Sequence, residues 1–266
     1  MLCVLVSCNV FETIETGSDP DNAFYSSDGE SSLSHACDMG SGCHHWYNIQ
    51  DASSLYTDGA CATPVTTDAQ TVRCIKDLTG NSDITRSAGN TGSYTQSDNG
   101  ISYLGDTGSQ AAFVDIDPLA NQTWFIVLEL DNTPTGGTRA VFGNGSSGPT
   151  NESRLSFDTS NNIFIQWAGG SSGTASSPLT LNQKYVITLV ADGINLNAYL
   201  NGAFIQSVGI GGTFETATDM GIAAFYYGSV ANGSNYTLYE LVVYNYTMNT
   251  SETAEVENFL RNKWGF

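Results

Sequence analysis

The chain has 266 residues, 40 % of them hydrophobic and only 13 % charged. Its 8 Lys and Arg stand against 27 Asp and Glu, a formal charge of −19, which leaves no basic stripe to neutralise nucleic-acid phosphates or anionic lipid. No apolar run approaches the roughly 18 residues of a membrane-spanning helix, and 13 Tyr, 12 Phe and 4 Trp supply core material that a disordered chain lacks.

Met1–Val6 has no basic n-region, and Cys8-Asn9 interrupts the apolar run that follows. It reads as a strand or docking arm rather than a secretion signal. From Thr16 to Ser34 the text is rich in Ser, Asp, Gly and Glu and reads as loop. Residues 1–45 are therefore expected to be an irregular arm that contacts other protein, and 46–266 one folded domain. All six cysteines, Cys3, Cys8, Cys37, Cys43, Cys61 and Cys74, lie in the first 74 residues, the most loop-like third of the chain. An even number so placed predicts disulfides in an oxidising compartment. Local pairing gives Cys37–Cys43 and Cys61–Cys74, and assigns Cys3 and Cys8 to disulfides as well. The alternative is zinc on Cys37, Cys43, His44 and His45, although the tight C-x2-C pairs of structural zinc sites are missing.

From Ile101 onward short β-branched and aromatic runs alternate with Gly, Asn, Asp and Pro. Strands are expected at 101–104, 111–116, 123–130, 138–142, 154–157, 162–167, 185–191, 194–200, 203–208, 221–227 and 237–246. Asp192-Gly193 and Asn201-Gly202 predict type I′ turns that fold 185–208 into a three-stranded meander. Ile194, Leu196, Ala198 and Leu200 alternate with Asn195, Asn197 and Tyr199, one face dry and one wet. Asn249-Thr250-Ser251 with Glu252 and Glu255 caps a closing helix, whose apolar face is Val256, Phe259 and Leu260. The pattern predicts an all-β fold, a two-sheet antiparallel jelly-roll sandwich with a short C-terminal helix.

Several segments carry a family resemblance. Trp46–Leu55 resembles an opening strand followed by a D-A-s-x-x-s-L turn, and Asp77–Asn81 a D-x-S-G-N turn. Ala198–Gly202 resembles an l-y-v-N-G hairpin, and Tyr239–Tyr244 with Glu255–Gly265 the closing strand and helix. In this order the segments resemble the concanavalin A-like (laminin G-like) jelly-roll domains of virion proteins and secreted lectin-like modules. The resemblance implies the fold but no particular ligand, because that fold hosts lectins, glycosidases and spacers.

Laminarinase-like enzymes of this fold carry Glu-x-Asp-x-x-Glu on one strand. Here Glu129-Leu130-Asp131-Asn132-Thr133-Pro134 ends in Pro, so the leaving oxygen has no proton donor. No nucleophile–base pair or phosphate loop stands out, and the expectation is a chain that is not an enzyme. Sugar stacking would fall to Trp167, Tyr226 and Tyr227, each at a strand end before a polar loop, with Asn232 as amide partner. Calcium is the one cofactor the sequence suggests, as relatives of this kind often hold it; the oxygen donors would be Asp131 with Asn132, and Asp115 with Asp117. Seven Asn-x-Ser/Thr sequons are near the chance number for a chain so rich in these residues.

The expected function is a non-catalytic virion structural or adhesion protein, a phage decoration, fibre or tail component. It would display a lectin-like jelly roll to a glycan or host surface, in many copies, with its arm docked on other virion proteins. The alternative is a secreted or cell-surface carbohydrate-binding module, extracellular rather than on a virion.

Overall fold

The computed structural model describes residues 33–86, 92–95, 98–103, 112–135, 137–144, 151–212, 214, 220–223, 225–226, 230–231 and 234–266. Its strands are β1 (Cys43–Asn48), β2 (Leu55–Tyr56), β3 (Thr71–Val72), β4 (Cys74–Ile75), β5 (Ile84–Thr85), β6 (Gly92–Thr95) and β7 (Gly100–Tyr103). Then come β8 (Ala112–Val114), β9 (Asn121–Leu130), β10 (Arg139–Asn144), β11 (Ser153–Phe157), β12 (Ile163–Gln166) and β13 (Ser172–Thr174). The rest are β14 (Lys184–Asp192), β15 (Asn195–Leu200), β16 (Ala203–Gly209), β17 (Met220–Ile222), β18 (Phe225–Tyr226), β19 (Val230–Ala231) and β20 (Tyr236–Tyr244), before helix α1 (Thr250–Trp264).

The strands form a two-sheet sandwich. Sheet A runs β16-β15-β14-β9-β20-β7-β6-β3, with β1 also paired to β20. Sheet B runs β13-β12-β11-β10-β17-β8-β5-β4-β2, with β18 and β19 attached through β10. Pairing is antiparallel except for the contact of β18 with β10. The opening strand starts at Cys43, three residues before Trp46, and the short strands of sheet B before residue 86 lie in text that reads as turns. Their alternation is too brief to register as a period.

The central strands of sheet A are buried on both faces. Trp124, Ile126, Leu128 and Leu130 of β9 point into the core between the sheets. Phe125 and Val127 point the other way, into a second cluster with Val186, Val242, Tyr244, Ala36, Met39, Val256, Leu260 and Trp264. This explains why β9 and β20 read as unbroken apolar runs while β15, with Leu196 and Ala198 buried between Asn195 and Asn197, alternates. Helix α1 is fastened at both ends. Asn249 Oδ1 accepts from the N–H groups of Ser251 and Glu252, and Glu252 returns a bond to Asn249 N–H. Gly265 ends the helix at φ +78°, a left-handed conformation that favours glycine.

A bulge at Leu238/Glu240 in the pairing of β20 with β9 turns two successive residues, Tyr239 and Glu240, toward the helix side. Glu240 is fully buried. It accepts from Trp46 Nε1 at 2.7 Å, Lys263 Nζ at 2.7 Å and Trp264 Nε1 at 2.8 Å. One carboxylate thus ties β1, β20 and the end of α1 together.

Two local expectations change. Asn201 and Gly202 take positive φ (49° and 84°) and make the I′ turn, but only Gly193 does so in the other pair, at 90°. Asp192 remains in β14 and its carboxylate accepts from Ile194 N–H and Asn195 N–H. That cap lifts Ile194 off the dry face, leaving it 74 % exposed. The disulfides Cys37–Cys43 and Cys61–Cys74 both form, each with Cα atoms 5.4 Å apart. Cys3, Cys8 and the expected strand at 2–6 lie outside the described residues. Because Cys61–Cys74 closes a loop of separation 13, replacing both with Ser should lower unfolding free energy by about 3 kcal/mol in urea titration; an unchanged midpoint would contradict this.

Candidate functional site

The helix and residues 33–43 cover only part of the outer face of sheet A. Past Trp264 the same face turns polar. On β9 the alternation that points Phe125 and Val127 under the helix also points Glu129 outward, and Asp131 follows on the same side. Tyr239 Oη donates to Glu129 Oε2 at 3.1 Å. Lys184 Nζ lies 4.4 Å from the Tyr239 ring centroid and 5.5 Å from that of Trp264, a cation held over aromatic faces. On β7 and β20, Ser102 Oγ and Thr237 Oγ1 are 2.8 Å apart, and Thr237 Oγ1 is 3.1 and 3.2 Å from the two carboxylate oxygens of Asp131. The hydroxyls therefore form a line, Ser102 to Thr237 to Asp131. Gly100 makes room for it: a Cβ there would come within 2.5 Å of Thr237 Cγ2 and 2.8 Å of Tyr239 Cε1.

Burial pushes the Asp131 carboxyl up to about 6, against the opposing hydrogen bond from Thr237 and with help from the Glu129 charge. Burial also raises the Tyr239 phenol, reinforced by Glu129, so it stays protonated at neutral pH. Two carboxyl groups on one strand face, one of them able to hold a proton near neutrality, are the residue types of acid–base chemistry on glycosides.

The other expected site residues fall elsewhere. Trp167 is fully buried, stacked edge-on to Trp124 at 5.9 Å, with its indole N–H bound to Leu119 O at 2.9 Å. It is core and offers no stacking platform, because the apparent loop after it folds back as Gly170 and β13. Tyr226 pairs through its backbone with Asn144; its side chain, Tyr227 and Asn232 lie outside the described residues. Asp115 and Asp117 precede β9 while Asp131 and Asn132 follow it, roughly 30 Å away along the strand. These acids do not converge, so they do not fit a shared calcium site. Among the described residues the one close group of three ligand-type side chains is Cys61, Cys74 and Asp83, and its sulfurs are joined in a disulfide. The zinc alternative fails likewise, since Cys37 and Cys43 are bonded to each other.

The histidines serve the fold. Asp77 accepts from His45 Nδ1 at 2.8 Å, Trp46 N–H at 3.0 Å, Thr79 N–H at 2.9 Å, Thr79 Oγ1 at 2.7 Å and Ser82 N–H at 3.1 Å. Burial opposes its charge, but these donors together hold it down at about 2. His44 Nδ1 and His45 Nε2 lie 2.7 Å apart, extending the chain outward. The Asp77–Asn81 turn is visible in the sequence, but its link to His45 and Trp46 is not, because they lie more than thirty positions away.

Neither a family model nor a curated protein matches the chain. Solved structures do. Trypanosoma rangeli sialidase aligns over 84 % of this chain and 33 % of its own, at 16 % identity and a TM-score of 0.55. The same sialidase in complex with sialic acid gives 17 % identity over the same shares, with a TM-score of 0.55. The CBM40 module of a Ruminococcus gnavus IT-sialidase, bound to alpha2,3 sialyllactose, aligns over 53 % of this chain and 83 % of its own at 14 % identity, TM-score 0.45. The chain thus spans about a third of the sialidases it matches, and the likeness is one of β-sandwich fold.

The expectation that the chain is not an enzyme is corrected here. The structures it matches over most of its length are those of enzymes. The physical ground for the exclusion has also gone. Pro134 was to mark a missing proton donor, yet Asp131, on the same face as Glu129, is the group whose carboxyl is raised to about 6.

A carbon-13 NMR titration should find the Asp131 carboxyl titrating near pH 6, and Glu129→Gln should lower that midpoint. Since the folded value lies above the unfolded one, stability should fall as pH rises from about 4 to about 6, a slope that Asp131→Asn should flatten. A wild-type Asp131 midpoint near 4 would contradict the reading of this face.

Proposed function

We propose that the chain is an extracellular glycan-binding β-sandwich whose ligand lies on the polar end of sheet A. The observation that carries the reading is the strip of half-buried Ser102, Glu129, Asp131 and Lys184 around the buried Thr237, beside the face that the helix covers. Carboxylates and hydroxyls in one plane accept and return the hydrogen bonds of sugar hydroxyls. The likeness in fold to a sialidase in complex with sialic acid supports a sugar as ligand. Glu129 and Asp131 disfavour an anionic sugar, so neutral sugars are the preferred class. The two disulfides support a setting outside the cell, as a secreted or cell-surface module. Display on a virus particle is the other setting compatible with disulfides.

With Tyr239 and Trp264 almost fully buried, the site offers little stacking surface. Single-site affinity should be about millimolar, near −4 kcal/mol, and presentation in many copies would raise avidity by about 10² to 10⁴. A second reading, hydrolysis of a glycosidic bond at the same place, is favoured by one observation. Glu129 and Asp131 are two carboxyl-bearing residues spaced by two along one strand face, and a pair of carboxyl groups is what glycosidases use.

Binding to a panel of neutral and sialylated glycans tests both readings. Neutral glycans should bind more strongly than sialylated ones, and Asp131→Ala with Thr237→Val should weaken binding by about tenfold, the loss of one or two hydrogen bonds. A fluorogenic glycoside cleaved by the wild type but not by Asp131→Asn or Glu129→Gln would establish hydrolysis. No binding at roughly 10 mM glycan, or binding indifferent to the double variant, would refute the site.

A further inference from the structure

One side of the sandwich is nearly without charge. From Thr159 to Phe214 the chain has only two charged residues, Lys184 and Asp192, one at each end of β14. At the chain's average of 13 % charged, a stretch of this length would hold about seven. Strands β12, β13, β15 and β16 carry none, and they lie together, because β16 ends sheet A and β13 ends sheet B. The two edges touch: Gly209 N–H donates to Ser171 Oγ at 2.7 Å, and Gly211 N–H to Trp167 O at 3.0 Å. Asp158 and Asp192 stand at the rim, each accepting two backbone N–H groups of its own turn.

The same side holds the two most exposed large apolar side chains among the described residues, Ile194 at 74 % and Phe204 at 58 %, one beside each end of β15. The Tyr199 ring meets that of Phe204 edge to face at 5.7 Å, which steadies the exposed ring. The strand edge is open as well. Ile210 N–H bonds to Ile194 O, so by antiparallel alternation the backbone of Ser207 points away from β15, and its N–H has no partner among the described residues. A bulge at Ile205 keeps this free edge short. Proteins usually guard an open edge with Lys or another charge; Ala203–Gly209 has none.

We propose that this side docks a second copy of the chain, about a two-fold axis that brings the two Phe204 rings into one apolar contact. The occupant follows from charge. Two copies carrying −19 each repel wherever acidic surface meets acidic surface, and on this side they approach without pairing like charges. A partner of opposite charge would be drawn to the acidic remainder of the surface instead. In an isologous contact a patch need only complement itself, and an aromatic ring among small Ser, Thr and Gly neighbours does so. The inference does not rest on the polar end of sheet A, whose Ser102, Glu129, Asp131 and Thr237 lie on or beside β7, β9 and β20, three or more strands away.

Sedimentation equilibrium of the full chain tests it. A monomer–dimer equilibrium should appear below about 1 mM protein. Raising NaCl from about 0.05 to about 0.5 M should tighten it, because salt screens the repulsion between the acidic bodies; a contact built on ion pairs would loosen. Phe204→Lys and Ser207→Lys each set two ammonium groups against one another across the axis and should weaken dimerisation at least about tenfold. Both positions are exposed, and an unchanged circular dichroism spectrum checks that the fold survives. Thr66→Lys, exposed beside β2 at the far edge of sheet B, changes the net charge equally and should not weaken the dimer. A monomer at every concentration, a dimer loosened by salt, a dimer that both edge variants leave intact, or equal loss in Thr66→Lys would overturn the proposal.

Discussion

The carboxylate of Glu240 is the point on which the arrangement depends. It sits fully buried in the middle of sheet A and collects donors from Trp46, Lys263 and Trp264. A buried charge of this kind is tolerable only while its partners stay in place; removing one partner of a buried ionic network typically costs about 3–5 kcal/mol. The opening strand, the central strand and the last turn of the helix are therefore fixed relative to one another by one group. The bulge that turns Glu240 toward the helix also turns Tyr239 there, and Tyr239 marks the boundary between two halves of the face. On one side the helix seals Phe125, Val127 and Val242 from water. On the other, Glu129, Asp131 and Thr237 form a polar cluster.

Much of the fold was legible because its signals are local. The apolar runs of β9, β14 and β20, the Asn201-Gly202 turn and the Asn249–Glu252 capping box all act within a few residues, and the structure places them within one to three residues of expectation. So too the pairing of Cys37 with Cys43 and of Cys61 with Cys74, the most local of the fifteen pairings that six cysteines allow. What was not legible is set by tertiary context. Trp167 at a strand end before a glycine-rich loop has the local look of an exposed platform; only the chain's return through β13 buries it. Ile194 fits a dry alternation, but the Asp192 cap places it in the turn.

The candidate site was half visible. Glu129 and Asp131 stand out through their spacing, but no local signal marks Asp131 as the protonatable member. That follows from the burial of its carboxyl and the neighbouring Glu129 charge, which outweigh the hydrogen bond from Thr237 of β20. The same holds for Glu257, in the sequence one acid of a helix, whose burial and bond to Thr188 exist only because β14 meets it. The fold likeness to sialidases bears on the sandwich and not on these residues, so the chemistry of the polar end rests on its own geometry.

Chemical-shift mapping with a bound glycan tests the central claim most directly, that the open end of sheet A is where this protein meets sugar. The account predicts perturbations concentrated at Ser102, Glu129, Asp131, Thr237 and Lys184, with little change at the helix-covered residues Phe125, Val127 and Val242. Perturbations centred on sheet B, or on loops remote from β9 and β20, would contradict it.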